Sequence, residues 1–139
     1  MKQNRLRLTV TTEGRGIYCI SQKVCKWVSQ QSIQSGLLTL FIPHTSASLL
    51  IQENADPDVL EDLNRFFNHL VIDGDPLFQH QSEGPDDMPA HIRSALTQTH
   101  LSIPVQENKP SLGIWQGIYL FEHRIHPHKR NIILHLLGE

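Results

Sequence analysis

Residues 37–58, LLTLFIPHTSASLLIQENADPD, form the part of the chain on which the fold prediction depends. Leu37–Ile42 is an apolar run of strand length, and Pro43 ends it because proline cannot donate to the hydrogen-bond ladder of a sheet. Ala47–Glu53 is predicted to be the next strand. His44-Thr45-Ser46 then forms the bend between two consecutive strands, so an imidazole and two hydroxyls lie together at a strand end.

Two helices and a long polar loop are predicted after these strands. Asp56 caps a helix whose first position is a proline, where the missing N–H costs nothing, and its apolar spacing continues to about Val71. Residues 73–86 are polar and loop-like, and a loop of that length in a compact domain is usually either functional or disordered. Pro89 is predicted to open the second helix, with inward-facing Ile92, Ala95 and Leu96.

The two ends of the chain supply further strands. Residues 3–12 alternate between apolar and polar side chains, which indicates a half-buried strand, and 17–20 return antiparallel to it. Ser21 is predicted to cap a helix that ends at Gly36. Three more strands are expected near 100–107, 112–123 and 130–137. The prediction is a single α+β domain over 1–139 with two layers, a largely antiparallel sheet packed against helices.

The composition excludes several classes of protein. Apolar residues make up 39% of the 139 residues and charged residues 19%, as in ordinary globular domains. The net charge of −2 gives nucleic-acid binding no electrostatic basis. The apolar runs are too short to span a membrane, and the N-terminus lacks a signal-peptide pattern, which predicts a cytoplasmic protein. Cys19 and Cys25 are predicted to be buried free thiols. Residues 126–130 are predicted to be a solvated basic hairpin loop, with phosphate binding as the alternative.

Histidine is the unusual component, with nine in the chain. His44 ends an otherwise apolar strand face, where it is either a core residue bonded to backbone or part of a site. His80 lies in the polar loop, and His91 lies in the first turn of the second helix, where the helix dipole favours a neutral imidazole. The last two can close around one divalent ion together with the neighbouring acids Glu83, Asp86 and Asp87.

Three further positions carry candidate site chemistry. Glu122 shares a strand face with two aliphatic side chains, so it is either a frayed strand end or a buried acid that is paired, binds metal or transfers protons. Trp115 and Gln116 together can hold a flat ring, although tryptophan in a strand is more often core. Asn54 is a turn former with a site role as the alternative. No P-loop, nucleophile elbow or His-Glu-x-x-His motif occurs.

Several blocks in a fixed order resemble the YjbQ family of small proteins, which has also been labelled secondary thiamine-phosphate synthase. The resemblance covers essentially the whole chain and is carried by His44–Ser48, Glu53–Asp58, Glu83–Ile92, Leu112–Tyr119 and Glu122–Arg124. Two departures stand out. Ile114 occupies a position where threonine or serine is usual, and Asn108 replaces a turn glycine.

The resemblance implies a homotrimer with a divalent metal near a subunit boundary. The ion would be Zn²⁺, or Mg²⁺ with a diphosphate substrate, and its ligands would be His44, His80 and His91. His44 and Glu122 would be catalytic. Substrate would be bound by Thr45, Ser46, Asn54, Trp115, Gln116 and Arg124.

The function implied by the resemblance is a weak or secondary thiamine-phosphate synthase, which joins a pyrimidine diphosphate to a thiazole phosphate. Its ligand would be a small phosphorylated metabolite. Two alternatives remain open at the level of sequence: a metal-assisted hydrolase and a non-catalytic trimeric protein that binds a metal or metabolite.

Overall fold

A strand near the C-terminus pairs along both of its edges and organises the larger of two sheets in a computed structural model that describes all residues 1–139. β8 (His128–Gly138) pairs antiparallel with the whole of β1 (Lys2–Thr12) on one edge and with β3 (Gly36–Phe41) on the other. Beyond β3 lie β5 (His100–Gln106) and the short β6 (Lys109–Pro110).

The smaller sheet has three strands, with β7 (Gln116–Glu122) between β2 (Gly16–Cys19) and β4 (Ala47–Glu53). Its register places Ala47 opposite Glu122 and Glu53 opposite Gln116. The end of β7 therefore lies beside the bend that precedes β4. One core contains buried aliphatic side chains of both sheets, which indicates that the sheets pack face to face; its members with no exposure include Leu38, Leu40, Leu49, Ile118, Leu120, Ile132, Leu134 and Leu136.

Three helices complete the fold. α1 (Ser21–Ser29) contributes Val24 and Val28 to the core. α2 (Pro57–Leu70) contacts the smaller sheet, where Phe67 meets Phe121 edge to face with ring centroids 5.4 Å apart. α3 (Asp87–Leu96) contacts β4. No helix has both the length and the hydrophobicity that crossing a membrane requires.

The predicted α+β class and the largely antiparallel pairing are confirmed, although the strands divide into two sheets. The return of residues 17–20 along the first strand was predicted wrongly, because β2 pairs with β7 and β1 pairs with β8. Asp56 caps α2 through a bond from the Asp58 N–H, as the sequence predicted. The helix that was predicted to open at Pro89 is α3, and it begins at Asp87. Its inward face was predicted wrongly, since Ala95 and Leu96 are exposed. The buried side chains of α3 are Asp87, Pro89, Ala90, Arg93 and Ser94.

α1 ends at Ser29, well before the predicted Gly36, and Asn108 gives the physical reason. Asn108 has a φ of 62°, a conformation that glycine or asparagine adopts most readily. Its Nδ2 lies 2.8–3.0 Å from three carbonyl oxygens at the end of α1 and beyond, those of Val28, Gln31 and Ile33. The asparagine therefore turns the chain as glycine would and also ties down the segment after the helix. Cys19 is exposed, contrary to the prediction of a buried thiol.

A histidine without solvent exposure is built into the structure just after β7. His123 Nε2 lies 2.8 Å from Ser48 Oγ, which in turn lies 2.7 Å from Thr97 Oγ1. Burial, followed by the charge of nearby Arg93, lowers the pKa of His123 to about 3. The imidazole is therefore neutral over the ordinary pH range. Its ring makes one hydrogen bond, between Nε2 and the Ser48 hydroxyl, and the serine in turn bonds to Thr97, whereas Nδ1 has no partner.

We expect this histidine to make the fold sensitive to mild acid. An unfolded His123 takes up a proton near pH 6.5, whereas the folded one stays neutral down to about pH 3, so its stabilising contribution is complete above pH 6.5 and falls below it. The free energy of unfolding should drop by up to about 1.4 kcal/mol per pH unit in that window. Urea unfolding between about pH 7 and about pH 5 should show a shallower decline for His123→Gln than for wild type. The surface variant His100→Gln should decline like wild type; equal slopes for all three would contradict a neutral buried His123.

Candidate functional site

Two adjacent aspartates at the start of α3 are almost fully buried, with Asp86 2% and Asp87 3% exposed. Arg124, which follows β7, donates from Nε to Asp86 Oδ2 and from Nη1 to Asp87 Oδ1, both at 2.8 Å. Its Nη2 donates to the carbonyl of Glu83, also at 2.8 Å. Every guanidinium nitrogen is therefore engaged within the chain. This geometry does not favour the predicted contact of Arg124 with substrate, because the side chain instead fixes the two acids.

The second oxygen of Asp87 faces two of the predicted metal ligands. Asp87 Oδ2 lies 2.7 Å from His80 Nε2 and 3.1 Å from His91 Nε2. The ligand atoms of these three residues all lie within 4.8 Å of one another. The side chains of His80 and His91 are 39% and 31% exposed, whereas that of Asp87 is 4% exposed. The group is therefore anchored on one side and open on the other.

A main-chain contact sets the chemistry of His91. Its Nδ1 lies 3.1 Å from the carbonyl oxygen of Thr45, which can only accept a hydrogen bond. A neutral ring that donates from Nδ1 carries its lone pair on Nε2, the atom that faces Asp87 Oδ2. A lone pair and a carboxylate oxygen are held together only by a cation between them, either a proton or a metal ion. A carbonyl behind a histidine is also the usual support of a metal-binding imidazole.

Asp87, the one acid of this group, is ionised at neutral pH. Burial alone would raise the pKa of Asp87, but the hydrogen bond to His80 and the charges of Arg124 and His91 outweigh it and lower that pKa. The same hydrogen bond with Asp87 raises the pKa of His80. Protons and metal ions therefore compete for the same atoms in this group, because a protonated imidazole has no lone pair to offer.

His44, the third predicted ligand, lies outside this group. Its Nε2 accepts a hydrogen bond of 2.9 Å from the Asn131 N–H, which places the ring proton of the neutral form on Nδ1. Burial, followed by the charge of Arg130, lowers the pKa of His44. This bond to the backbone is what we expect of a core histidine that takes no part in a site. Metal binding by His44 stays a prediction. The ring nevertheless lines an open pocket of about 440 Å³ with Thr45, Ser46, Thr99, Arg130 and three residues of the preceding strand end.

Glu122 is buried and fully hydrogen-bonded. Oε1 accepts from the Thr12 hydroxyl and from Arg130 Nε, and Oε2 accepts from Arg130 Nη2 and from the N–H groups of His123 and Arg124. Burial alone would raise the pKa of Glu122, but the bonds from Arg130 and Thr12 lower it. These contacts favour a role in holding Arg130 and the adjacent backbone. Proton transfer by Glu122 remains a prediction that this geometry does not support.

Asn54, Trp115 and Gln116 lie at the opposite end of the smaller sheet. Asn54 Nδ2 donates to the carbonyls of Ile114 and Gln116, and Gln116 Oε1 accepts from the Gly113 N–H. Trp115 is 60% exposed. A seven-residue strand separates this loop from the bend at Thr45, a distance of about 20 Å along β4. One chain therefore does not bring these three residues into the pocket of Thr45 and Ser46.

Arg130 is a site residue that sequence reasoning missed. It was grouped with the solvated basic loop, for which phosphate binding was only the alternative, yet it is 4% exposed and lines the pocket. The signal was present in the alternation of β8, where Arg130 shares an inward face with Ile132 and Leu134. A lone cation on that face matches the lone acid of β7, Glu122, and the two form a buried ion pair.

Comparison with known proteins identifies the family of this chain. A family model described as UPF0047 protein YjbQ-like matches residues 6–139. UPF0047 protein sll1880 of Synechocystis is 48% identical over 138 residues, which is 99% of this chain and 94% of the relative. UPF0047 protein YjbQ of Escherichia coli O157:H7 is 42% identical over 95% of this chain and 96% of its own length.

Two solved structures have the same fold as this chain. The hypothetical protein APE1520 of Aeropyrum pernix has a TM-score of 0.88 and 32% identity, and each chain is fully covered. The conserved hypothetical protein TT1486 of Thermus thermophilus has a TM-score of 0.84 and 36% identity over 95% of this chain and 99% of the other. The resemblance seen in the sequence blocks is thus confirmed, and the chain belongs to the YjbQ (UPF0047) family.

Proposed function

We propose that this protein is a metal-dependent enzyme with weak or secondary thiamine-phosphate synthase activity. The observation that carries the metal part is the convergence of His80, Asp87 and His91 on one point, with the buried acid held from behind by Arg124. The activity itself rests on the family resemblance together with the pocket beside this group.

The donor set suits Zn²⁺. Two imidazole nitrogens and one carboxylate oxygen are a common ligand set of catalytic zinc sites, which keep one position open for water or substrate. The exposed side of His80 and His91 leaves such a position accessible. When bound, a divalent ion would supply Lewis-acid stabilisation of charge on a departing diphosphate, and Mg²⁺ would suit that task as well.

The pocket next to the metal group suits a small phosphorylated metabolite. His44 offers its Nδ1–H, Thr45 and Ser46 offer hydroxyls, and the hydrogen bonds of Arg130 use Nε and Nη2, which leaves Nη1 for a ligand. Such donors recognise phosphate oxygens and stabilise charge that develops on them. The bond between the Thr45 carbonyl and His91 connects the pocket wall to the metal group, so substrate and ion would be neighbours.

The homotrimer is part of the same proposal, and the outer face of the larger sheet supports it. Leu37, Phe41 and Leu137 project there and are 40–44% exposed, an apolar area that a second copy would cover. Arg5 and Arg7 flank this area on β1, and ten of the 14 acidic residues lie between positions 53 and 87. A basic face against an acidic segment of the next copy is a head-to-tail contact, the kind that closes into rings.

Metal analysis tests the first part. Protein purified without a His-tag or added metal should contain about one zinc per chain, or take it up on titration. His91→Ala and Asp87→Asn should each lose it, because either change leaves only two ligands. The exposed-histidine variant His100→Ala should bind like wild type. Wild-type protein that neither contains nor takes up a divalent ion would refute the proposed centre.

Turnover tests the second part. Incubation with the pyrimidine diphosphate and the thiazole phosphate should yield thiamine phosphate slowly, and Asp87→Asn should abolish the product. His44→Ala should raise the KM by about tenfold to a hundredfold, since it removes one donor to a charged group. The KM of His44→Gln, which keeps an N–H, should lie between those of wild type and His44→Ala, and the exposed-histidine variant His69→Ala should match wild type. Product formation no faster than in buffer alone would end the synthase assignment.

Mass measurement by light scattering tests the assembly. Wild type should elute with three times the mass of one chain, and Phe41→Glu should dissociate it because a charge then enters the covered apolar area. Ile114→Glu is the matched control, since Ile114 is 80% exposed in the separate loop before β7. A monomeric wild type, or equal behaviour of the two variants, would contradict this interface.

A further inference from the structure

Arg124 contacts three separate segments around the candidate metal group. Its Nη2 reaches the Glu83 carbonyl in the loop that carries His80, and Nε and Nη1 reach the two aspartates that start α3. The backbone of Arg124 is itself fixed, because its N–H donates to Glu122 Oε2. One guanidinium thus joins the loop, the helix and the end of β7.

We propose that Arg124 is the positioning residue of this centre, and the inference rests on the proposed metal-binding function. With Nη1 on Asp87 Oδ1, the carboxylate is turned so that only Oδ2 faces His80 and His91. The arginine therefore decides which oxygen is offered to the ion and in which direction, although it does not touch the ion itself.

The charge of Arg124 is as necessary as its shape. Asp86 and Asp87 are neighbours in sequence and both nearly buried, so two anions repel each other where water cannot screen them. Arg124 is the guanidinium that bonds to both, and Asp86 also receives the N–H of Ile125. Removal of the arginine would leave Asp87 free to rotate away from its neighbour and from the imidazoles.

The loop is shaped to meet the guanidinium. Gly84 has a φ of 107°, a backbone conformation that residues other than glycine rarely adopt. A Cβ at this position would lie 3.2 Å from Asp86 Oδ1. This turn presents the Glu83 carbonyl to Nη2. Lysine at position 124 would carry the charge but only one nitrogen, so it cannot hold the two carboxylates and the carbonyl at once.

The test compares metal affinities by competition with a chromophoric chelator, using Zn²⁺, and Co²⁺ as a spectroscopic probe. Arg124→Met should bind about tenfold to a hundredfold more weakly than wild type, and Arg124→Lys should lie between. The matched control is Arg15→Met, which removes another arginine that anchors the same loop through two bonds to Asp73. Its affinity should equal that of wild type, because it touches neither aspartate of α3.

A positioning role also predicts a change in the geometry around the bound ion, whereas a general loosening of the loop does not. The visible bands of bound Co²⁺ should shift in Arg124→Met and stay unchanged in Arg15→Met. Because two unpaired buried acids can prevent folding, the double variant Asp86→Asn/Arg124→Met is measured as well, and it should fold yet bind as weakly. Wild-type affinity and spectrum in both Arg124→Met variants would overturn the role of Arg124 alone. Wild-type protein that binds no ion would instead overturn the metal centre.

Discussion

The buried carboxylate of Glu122 is the interaction on which the rest of the structure depends, because it joins the two sheets. It ends β7 of the smaller sheet and bonds to Arg130 of β8 and Thr12 of β1 in the larger one. From there the network reaches both parts of the candidate site. Arg130 holds the Ser46 carbonyl and hydroxyl at the bend, and Glu122 holds the N–H of Arg124.

The physical reason for such a network is that a charge out of water is costly unless it is paired and fully hydrogen-bonded. Glu122 meets that condition with five donors, and Arg130 has no other carboxylate within reach. Packings that shift one sheet against the other would leave both charges unpaired. We therefore expect the pair to contribute more to the choice of a single arrangement than to net stability. The same pair sets the relative placement of the pocket and the candidate metal group.

The local structure was predictable from sequence where one short pattern decides it. Alternation identified β1, and the Asp-Pro start identified α2. The acid on an apolar strand face left Glu122 either frayed or buried, and the structure shows that it is buried. Asp87 was among the acids proposed around His80 and His91. These predictions needed only neighbours in the chain.

What could not be predicted depends on which distant segments meet. The family resemblance grouped His44 with His80 and His91, and metal binding by His44 stays a prediction. Within one chain its Nε2 bonds to the backbone of β8, a contact on which spacing along the chain carries no information. Trp115 was placed in the pocket, whereas the register of β4 and β7 puts it at the far end of the sheet. Arginine is a common phosphate ligand. Only the three bonds that the Arg124 guanidinium makes within the chain indicate that this one holds other residues in place.

The position of β8 between β1 and β3 has a consequence for biosynthesis. Both neighbours leave the ribosome long before β8 does, since residues 42–127 lie between β3 and β8. During that interval the nascent chain carries two strands that lack their shared partner, and their open edges can pair with other chains. Contacts between such remote segments also form slowly. Emergence of β8 should therefore be the step that commits this polypeptide to its native form, and chaperones would be needed most just before it.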